Sequence, residues 1–158
     1  MTRDASTSNV TIRPAVAGDR TAWESLFAAY GVFYETRFPP AVFDGVWTWL
    51  MDAAHPVSAL VAERDTAEGQ RLVGFAHLRA LHDTFTAGPG WFLDDLYVAP
   101  EHRGEGIARA LIAACEATAR EGGGGTLRWI TASDNLTAQV LYDQVATRAS
   151  WVTYEKET

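Results

Sequence analysis

Apolar residues recur along this chain in two rhythms, and the changes of rhythm divide it into elements. Val10 to Arg13 is a short strand-like run closed by Pro14. Gly18-Asp19 leads into a helix from Arg20 to about Val32, where Trp23, Leu26, Phe27 and Tyr30 fall three and four apart. Pro39-Pro40 interrupts the chain. Val42, Phe43, Val46, Trp47 and Leu50 then repeat the helical spacing between Ala41 and Ala53. A hairpin is expected next: Ser58 to Arg64, a polar turn from Asp65 to Gln70, and Arg71 to Ala80. His82 to Gly90, rich in Gly, Pro and Thr, reads as a flexible loop, and Trp91 to Val98 as a buried strand stopped by Pro100.

From Gly104 to Arg120 one helix face carries Ile107, Leu111, Ala114, Cys115 and Thr118. Gly122 to Gly125 ends that helix, because glycine supplies left-handed geometry at a helix C-terminus. Thr126 to Thr131 is a further strand, Ser133 or Asp134 caps a helix to about Ala146, and Trp151 to Glu155 is a last strand. Residues 1–9 read as a loosely held tail. The order is strand, two helices, three strands, helix, strand, helix, strand, which predicts a mixed α/β layer architecture.

The bulk numbers narrow the field. A chain of 158 residues with 47% hydrophobic and 21% charged residues is expected to be one soluble domain. No apolar run is long enough to span a bilayer, and Met1 to Val10 lacks the apolar core of a signal peptide, so a cytoplasmic location without membrane partners is expected. Cys115 is the only cysteine, which excludes an intramolecular disulfide and suits a small buried helix residue. The formal net charge of -7 argues against nucleic acid as a partner and is compatible with a cationic substrate. His55, His77, His82 and His102 are scattered, and none has zinc-site spacing, so no metal is expected.

One segment carries chemistry. At Arg103-Gly104-Glu105-Gly106-Ile107-Ala108 a strand ends, turns through small residues and enters a helix. The amides of a first helical turn are unpaired and the helix dipole favours an anion there. Gly104 and Gly106 let the backbone approach a pyrophosphate, and Arg103 and Arg109 add charge-assisted donors. The run is not a P-loop, since Ile107-Ala108 follows Gly106 where Lys and Ser or Thr are required. Nor is it a dinucleotide fingerprint, whose third glycine would stand at Arg109. A glycine turn with no ligand is the alternative.

Leu93-Asp94-Asp95-Leu96-Tyr97-Val98-Ala99-Pro100 followed by Glu101-His102-Arg103-Gly104-Glu105-Gly106-Ile107-Ala108 resembles the core motif of the GNAT superfamily of N-acetyltransferases. The second half of that pattern stands at the expected distance, in Trp129-Ile130-Thr131 and in Asp134-Asn135-Leu136-Thr137-Ala138-Gln139-Val140-Leu141-Tyr142. Residues 72–155 carry the likeness, which is nearest to polyamine- and histone-type enzymes and their bacterial relatives. Ala108 stands where a glycine is commoner, and the usual Gly-Phe after Tyr142 is replaced by Asp143-Gln144-Val145-Ala146.

The resemblance implies a mixed, mostly antiparallel central sheet flanked by helices, with a splayed strand pair forming an acetyl-CoA cleft. It implies acetyl-CoA as acyl donor, bound by Leu96, Tyr97 and Val98, by Arg103, Gly104, Glu105, Gly106, Ile107, Ala108 and Arg109, and by Asn135, Ala138 and Tyr142. Backbone groups between Leu96 and Val98 would hold the carbonyl oxygen, and Tyr142 would act as general acid. Asp94 would be the base, matching the glutamate position of spermidine/spermine acetyltransferases, with Asp95 as an acceptor-binding carboxylate. Strand alternation sends neighbours to opposite faces, and a bulge in this strand would blur that rule. Phe33, Tyr34 and Glu35 sit where the family places an acceptor wall, able to offer π faces and a carboxylate to a cation. The expected reaction is transfer to a primary amine, polyamine-like and small, by direct attack in a ternary complex. Homodimers are common among such relatives. The alternatives are a protein lysine or N-terminal acetyltransferase, or a CoA-binding module without catalysis.

Overall fold

The computed structural model describes residues 9–158, so most of the tail expected over residues 1–9 lies outside the described residues. Five strands form one sheet: β1 (Val10–Pro14), β2 (Val57–Thr66), β3 (Gly69–Asp83), β4 (Gly88–Val98) and β5 (Leu127–Arg128). They lie in chain order, antiparallel from β1 to β4, with β5 parallel to β4. Between β1 and β2 come α1 (Arg20–Phe33) and α2 (Pro40–Met51). The latter starts on a proline whose fixed φ suits a first helical position. Then α3 (Ile107–Glu121) joins β4 to β5, and α4 (Leu136–Val145) follows β5.

The sheet buries a different core on each face. Toward α1 and α2 it packs Val61, Leu72, Phe75 and Tyr97 against Trp23, Phe27 and Phe43. Toward α3 it packs Leu60, Ala62, Val73, Leu78, Leu93 and Val98 against Ile107, Leu111, Ile112 and Cys115, with Leu141, Tyr142 and Val145 of α4 at the margin. Each fully buried large side chain contributes roughly 1.5–3 kcal/mol by leaving water. Burial pushes the Cys115 thiol up to about 12, as expected of an inert core cysteine.

Three expectations change. The loop expected over His82 to Gly90 is mostly strand: Leu81, His82 and Asp83 pair with Gly90, Pro89 and Gly88, leaving a turn of residues 84–87. Pro89 is tolerated because β5 reaches β4 only at Trp91 and Phe92, so no second strand calls on its missing N–H. The strand expected over Thr126 to Thr131 pairs only at Leu127 and Arg128, after which β4 and β5 part. The strand expected over Trp151 to Glu155 is absent, since residues 146–158 take no regular structure and no edge of this chain lies alongside them. Among the described residues no helix is long and apolar enough to cross a membrane, and no group of three His, Cys, Asp or Glu is placed to hold a metal.

Candidate active site

The site grows from one irregularity in β4. His77 pairs with Asp95 but Leu78 pairs with Leu93, so Asp94 is an extra residue and the strand bulges there. The bulge resets the alternation: Leu93 and Leu96 both pack toward α3, whereas an unbroken strand would send them to opposite faces. It also brings both carboxylates to one side. His77 and Arg79, two apart on β3, share the α1/α2 face, and each takes one of them. Arg79 donates from Nε (2.9 Å) and Nη2 (2.8 Å) to the two oxygens of Asp94. His77 Nδ1 lies 2.8 Å from Asp95 Oδ2.

The Asp95 contact is part of a buried chain. Trp23 Nε1 donates to His77 Nε2 at 2.9 Å. An indole N–H can only donate, so Nε2 carries a lone pair and Nδ1 carries the proton it gives to Asp95. His77 is 2% exposed and boxed by Phe27, Phe75 and Trp23 at ring distances of 5.0, 4.6 and 5.9 Å. On its other side Asp95 faces the Tyr30 hydroxyl. Burial and then the Asp95 charge hold that phenol well above its ordinary range. Tyr30 also meets Tyr34, ring to ring at 4.9 Å.

Beyond this chain a small cavity opens where β4 and β5 separate. Its wall is Tyr30 and Tyr34 from α1 and its C-terminal cap, Leu93, Asp94 and Leu96 from β4, and Trp129 to Thr131 with Tyr142 opposite. Tyr142 packs edge-on to Trp129 at 5.5 Å, and burial, then the neighbouring Tyr34, raise its phenol above the ordinary value. Ala99 N–H bonds back to Val73 of β3 (2.9 Å), so by alternation Tyr97 also points to β3 while Leu96 and Val98 turn their amides to the open side. Val98 O, on that open side, accepts from Arg103 Nε at 2.9 Å.

The glycine loop lies at the end of the same strand. Gly104 (φ 77°) and Gly106 (φ 82°) are both left-handed, and a Cβ at either would meet nothing. Conformation, not crowding within the chain, is what calls for glycine there. The first helical bond is Ala110 N to Gly106 O, which leaves the preceding amides of α3 without helical partners. Arg64 of β2 clasps this loop through His102 Nδ1 (2.8 Å) and the Glu105 carboxylate, and that guanidinium pulls Glu105 below the usual carboxylate range. Arg109 reaches Gln144 of α4.

Sequence and structure agree on where these residues lie more than on what they touch. Asp94, Leu96, Tyr34 and Tyr142 meet at the cavity, Gly104 to Gly106 form the loop, and Ile107 and Ala108 open α3. Asn135 caps α4, its Oδ1 accepting from Ala138 N at 3.4 Å and its Nδ2 donating to Thr131 Oγ1 at 3.2 Å. Of the expected acceptor wall only Tyr34 reaches the cavity. Phe33 is exposed behind it and Glu35 (φ 56°) turns the chain. Sequence reasoning passed over Tyr30 as one more helix-face aromatic and His77 as a scattered histidine. The available signal was a histidine within the apolar run Val73 to Leu78, with Arg79 two places on.

Comparison with known proteins accounts for this arrangement. The family model described as "Acetyltransferase (GNAT) family" matches residues 22–146. The chain is 30% identical over 139 residues to the D-amino-acid N-acetyltransferase HPA3 of Saccharomyces cerevisiae, covering 87% of this chain and 84% of that protein. It is 32% identical over 125 residues to the aminoglycoside N(6')-acetyltransferase type 1 of Stenotrophomonas maltophilia, covering 72% and 69%. The solved ribosomal-protein-alanine N-acetyltransferase of Brucella melitensis biovar Abortus superposes with a TM-score of 0.77 at 28% identity, over 94% of this chain and 99% of that one. The match of the family model spans the bulged strand, the parted β4 and β5 and the glycine loop, and the chain is an acetyltransferase of the GNAT family.

Proposed function

We propose that this enzyme moves the acetyl group of acetyl-CoA to the primary amine of a small molecule, by direct attack in a ternary complex. The observation that carries the reading is the convergence of Tyr142, Tyr34, Tyr30 and Asp94 on one cavity at the parting of β4 and β5. The relatives named for D-amino acids and aminoglycosides support a small amine, as does the net charge of -7.

The residues present suit the donor. The open left-handed glycines and the unpartnered first-turn amides of α3 form an anion cradle, with Arg103 and Arg109 beside it. Bound acetyl-CoA supplies a thioester carbonyl as electrophile. The outward amides of Leu96 and Val98 bond its carbonyl oxygen and the arm behind it. Asp94, its charge shared with Arg79, draws in the ammonium and receives its proton, directly or through water. Asp95 acts at one remove by holding Tyr30, and so the wall at Tyr34. As the new C–N bond forms and the C–S bond breaks, Tyr142 gives its hydroxyl proton to the sulfur, and the second proton lost by the acylated nitrogen returns, directly or through water, to the Tyr142 oxygen. Its phenol stays protonated well past neutral pH.

The test is thiol release from acetyl-CoA across a panel of polyamines, D- and L-amino acids, aminoglycosides and short peptides, alongside thermal shift with acetyl-CoA alone. Turnover is expected with a small amine. Turnover with peptides alone would favour a protein acceptor, and binding with no turnover would favour a non-catalytic module. Tyr142→Phe is expected to lower kcat about 100-fold while acetyl-CoA affinity stays within about twofold. Equal loss of both would remove its role as acid.

A further inference from the structure

A carboxylate stands in the middle of the glycine loop, where an anion is to be bound. Residues 101–109 carry two cations, Arg103 and Arg109, and two anions, Glu101 and Glu105, so the segment by itself has no net charge. Both cations are partly engaged within the chain. Arg103 donates through Nε to Val98 O (2.9 Å) and lies over the Tyr97 ring (5.5 Å), and Arg109 donates to Gln144. Glu105 falls between the two left-handed glycines. The Arg64 guanidinium holds it below the usual carboxylate range, so it is an anion at neutral pH. A free carboxylate at that place would repel a pyrophosphate, both of whose phosphates are ionised at neutral pH.

The sheet supplies the answer from β2. Val98, where β4 ends, pairs with Gly74, and Gly74 pairs with Ala62. Arg64 comes two residues later on β2, on the face that Ala62 turns to α3. From there its Nη2 reaches the Glu105 carboxylate, and its Nη1 donates to His102 Nδ1 at 2.8 Å. A guanidinium only donates, so His102 accepts as a neutral imidazole and adds no charge. In this clasp the side chains of Arg64 and Glu105 are 16% and 27% exposed, whereas Arg103, Gly104 and Gly106 around them are all exposed. The carboxylate is thus turned toward β2, and the open surface of the loop is left to its backbone and to Arg103.

We propose that Arg64 is a positioning residue for the acyl donor: it draws the Glu105 carboxylate toward β2 and cancels its charge, so that the loop meets a pyrophosphate with amides and cations and not with an anion. This rests on the proposed binding of acetyl-CoA at the loop. It adds a requirement from a strand that is not β4's neighbour in the sheet. With Arg64 included, three cations stand against two anions.

The experiment is calorimetric titration of acetyl-CoA into the wild type, R64Q, E105Q and the double variant R64Q/E105Q, each checked for folding by circular dichroism. R64Q leaves Glu105 uncompensated and should bind about tenfold more weakly, with the loss shrinking as salt is raised. E105Q removes the anion and should bind at least as tightly as the wild type. The double variant carries neither charge and should return to within about threefold of the wild type, a rescue that charge cancellation predicts. A clasp that only shaped the loop would instead leave R64Q, E105Q and the double variant weakened alike. That result would overturn the proposal, as would R64Q binding like the wild type. Should R64Q fail to fold, E105Q decides alone: binding as tight as the wild type or tighter supports the proposal, and weakening beyond about threefold overturns it. A wild type that does not bind acetyl-CoA would overturn the donor reading and this inference together, whereas the other failures leave the donor reading standing.

Discussion

The two flanks of the cavity are built to different degrees. On the α1/α2 flank Trp23, Phe27, Phe43 and Phe75 are all buried, and every polar group among them has a partner, from Trp23 through His77 to Asp95 and Tyr30. On the β5/α4 flank the strand pairs over two residues, α4 has no buried residue, and Leu136 and Val140 face water. The α1/α2 flank is the more apolar in sequence, and it also lies over a continuous part of the sheet, whereas β5 and α4 stand where the sheet splits. The flank proposed for the acceptor is shaped by the chain alone. The flank proposed for the donor is left more open by the chain.

The strongest way to break the comparison is to empty the finished flank. Trp23→Ala removes a side chain with no exposure and leaves His77 Nε2 without its donor. Urea unfolding is expected to show a loss of about 3–5 kcal/mol, with turnover falling because Asp95 and Tyr30 lose their support. A loss below about 1 kcal/mol would mean that this flank is no tighter than the other. A smaller effect is expected at the loop. Gly106→Ala keeps the space open but forces φ 82° on an L-residue, costing about 1–2 kcal/mol. The cost should appear as roughly tenfold weaker acetyl-CoA binding, measured by calorimetry. Unchanged affinity would show that the loop conformation is not part of the donor site.

What the sequence revealed follows the same division. Elements held by local pattern were legible: α1, α2 and α3 have helical spacing, and the β2–β3 hairpin has its polar turn. The site loop was legible because a left-handed glycine pair before a helix is a local requirement. The bulge at Asp94 was not, because it is defined by register against His77 and Leu78 on another strand. Without the register, alternation put Asp94 and Asp95 on opposite faces, and their partners Arg79 and His77 could not be named. The strand expected at Trp151 to Glu155 failed for the converse reason. Its composition is that of a strand, but a strand needs a neighbour and a single chain provides none there.

A pH scan sharpens the picture with a still smaller effect. Burial raises the Cys115 thiol from near 9 to about 12, so the folded state retains a proton that the unfolded chain gives up. The corresponding stability is fully present below about pH 9 and is lost as pH rises toward 12. At pH 10 the deficit from this thiol is about 1.4 kcal/mol. Cys115→Ala is expected to flatten the unfolding curve between pH 8 and about pH 9, below the range near pH 10 where Tyr30 and Tyr142, also raised, add a loss of their own. An unchanged slope would point to a different group.

The smallest effect tests the unfinished flank itself. Val140→Ser on α4 removes methyl groups that already face water, so unfolding free energy is expected to change by no more than about 0.5 kcal/mol. A loss above about 1 kcal/mol, growing with protein concentration, would mean that a second copy covers α4. The contrast between the flanks would then belong to the isolated chain and not to the assembled enzyme. A loss of that size independent of concentration would mean instead that α4 packs more tightly on its own sheet than its exposed side chains allow.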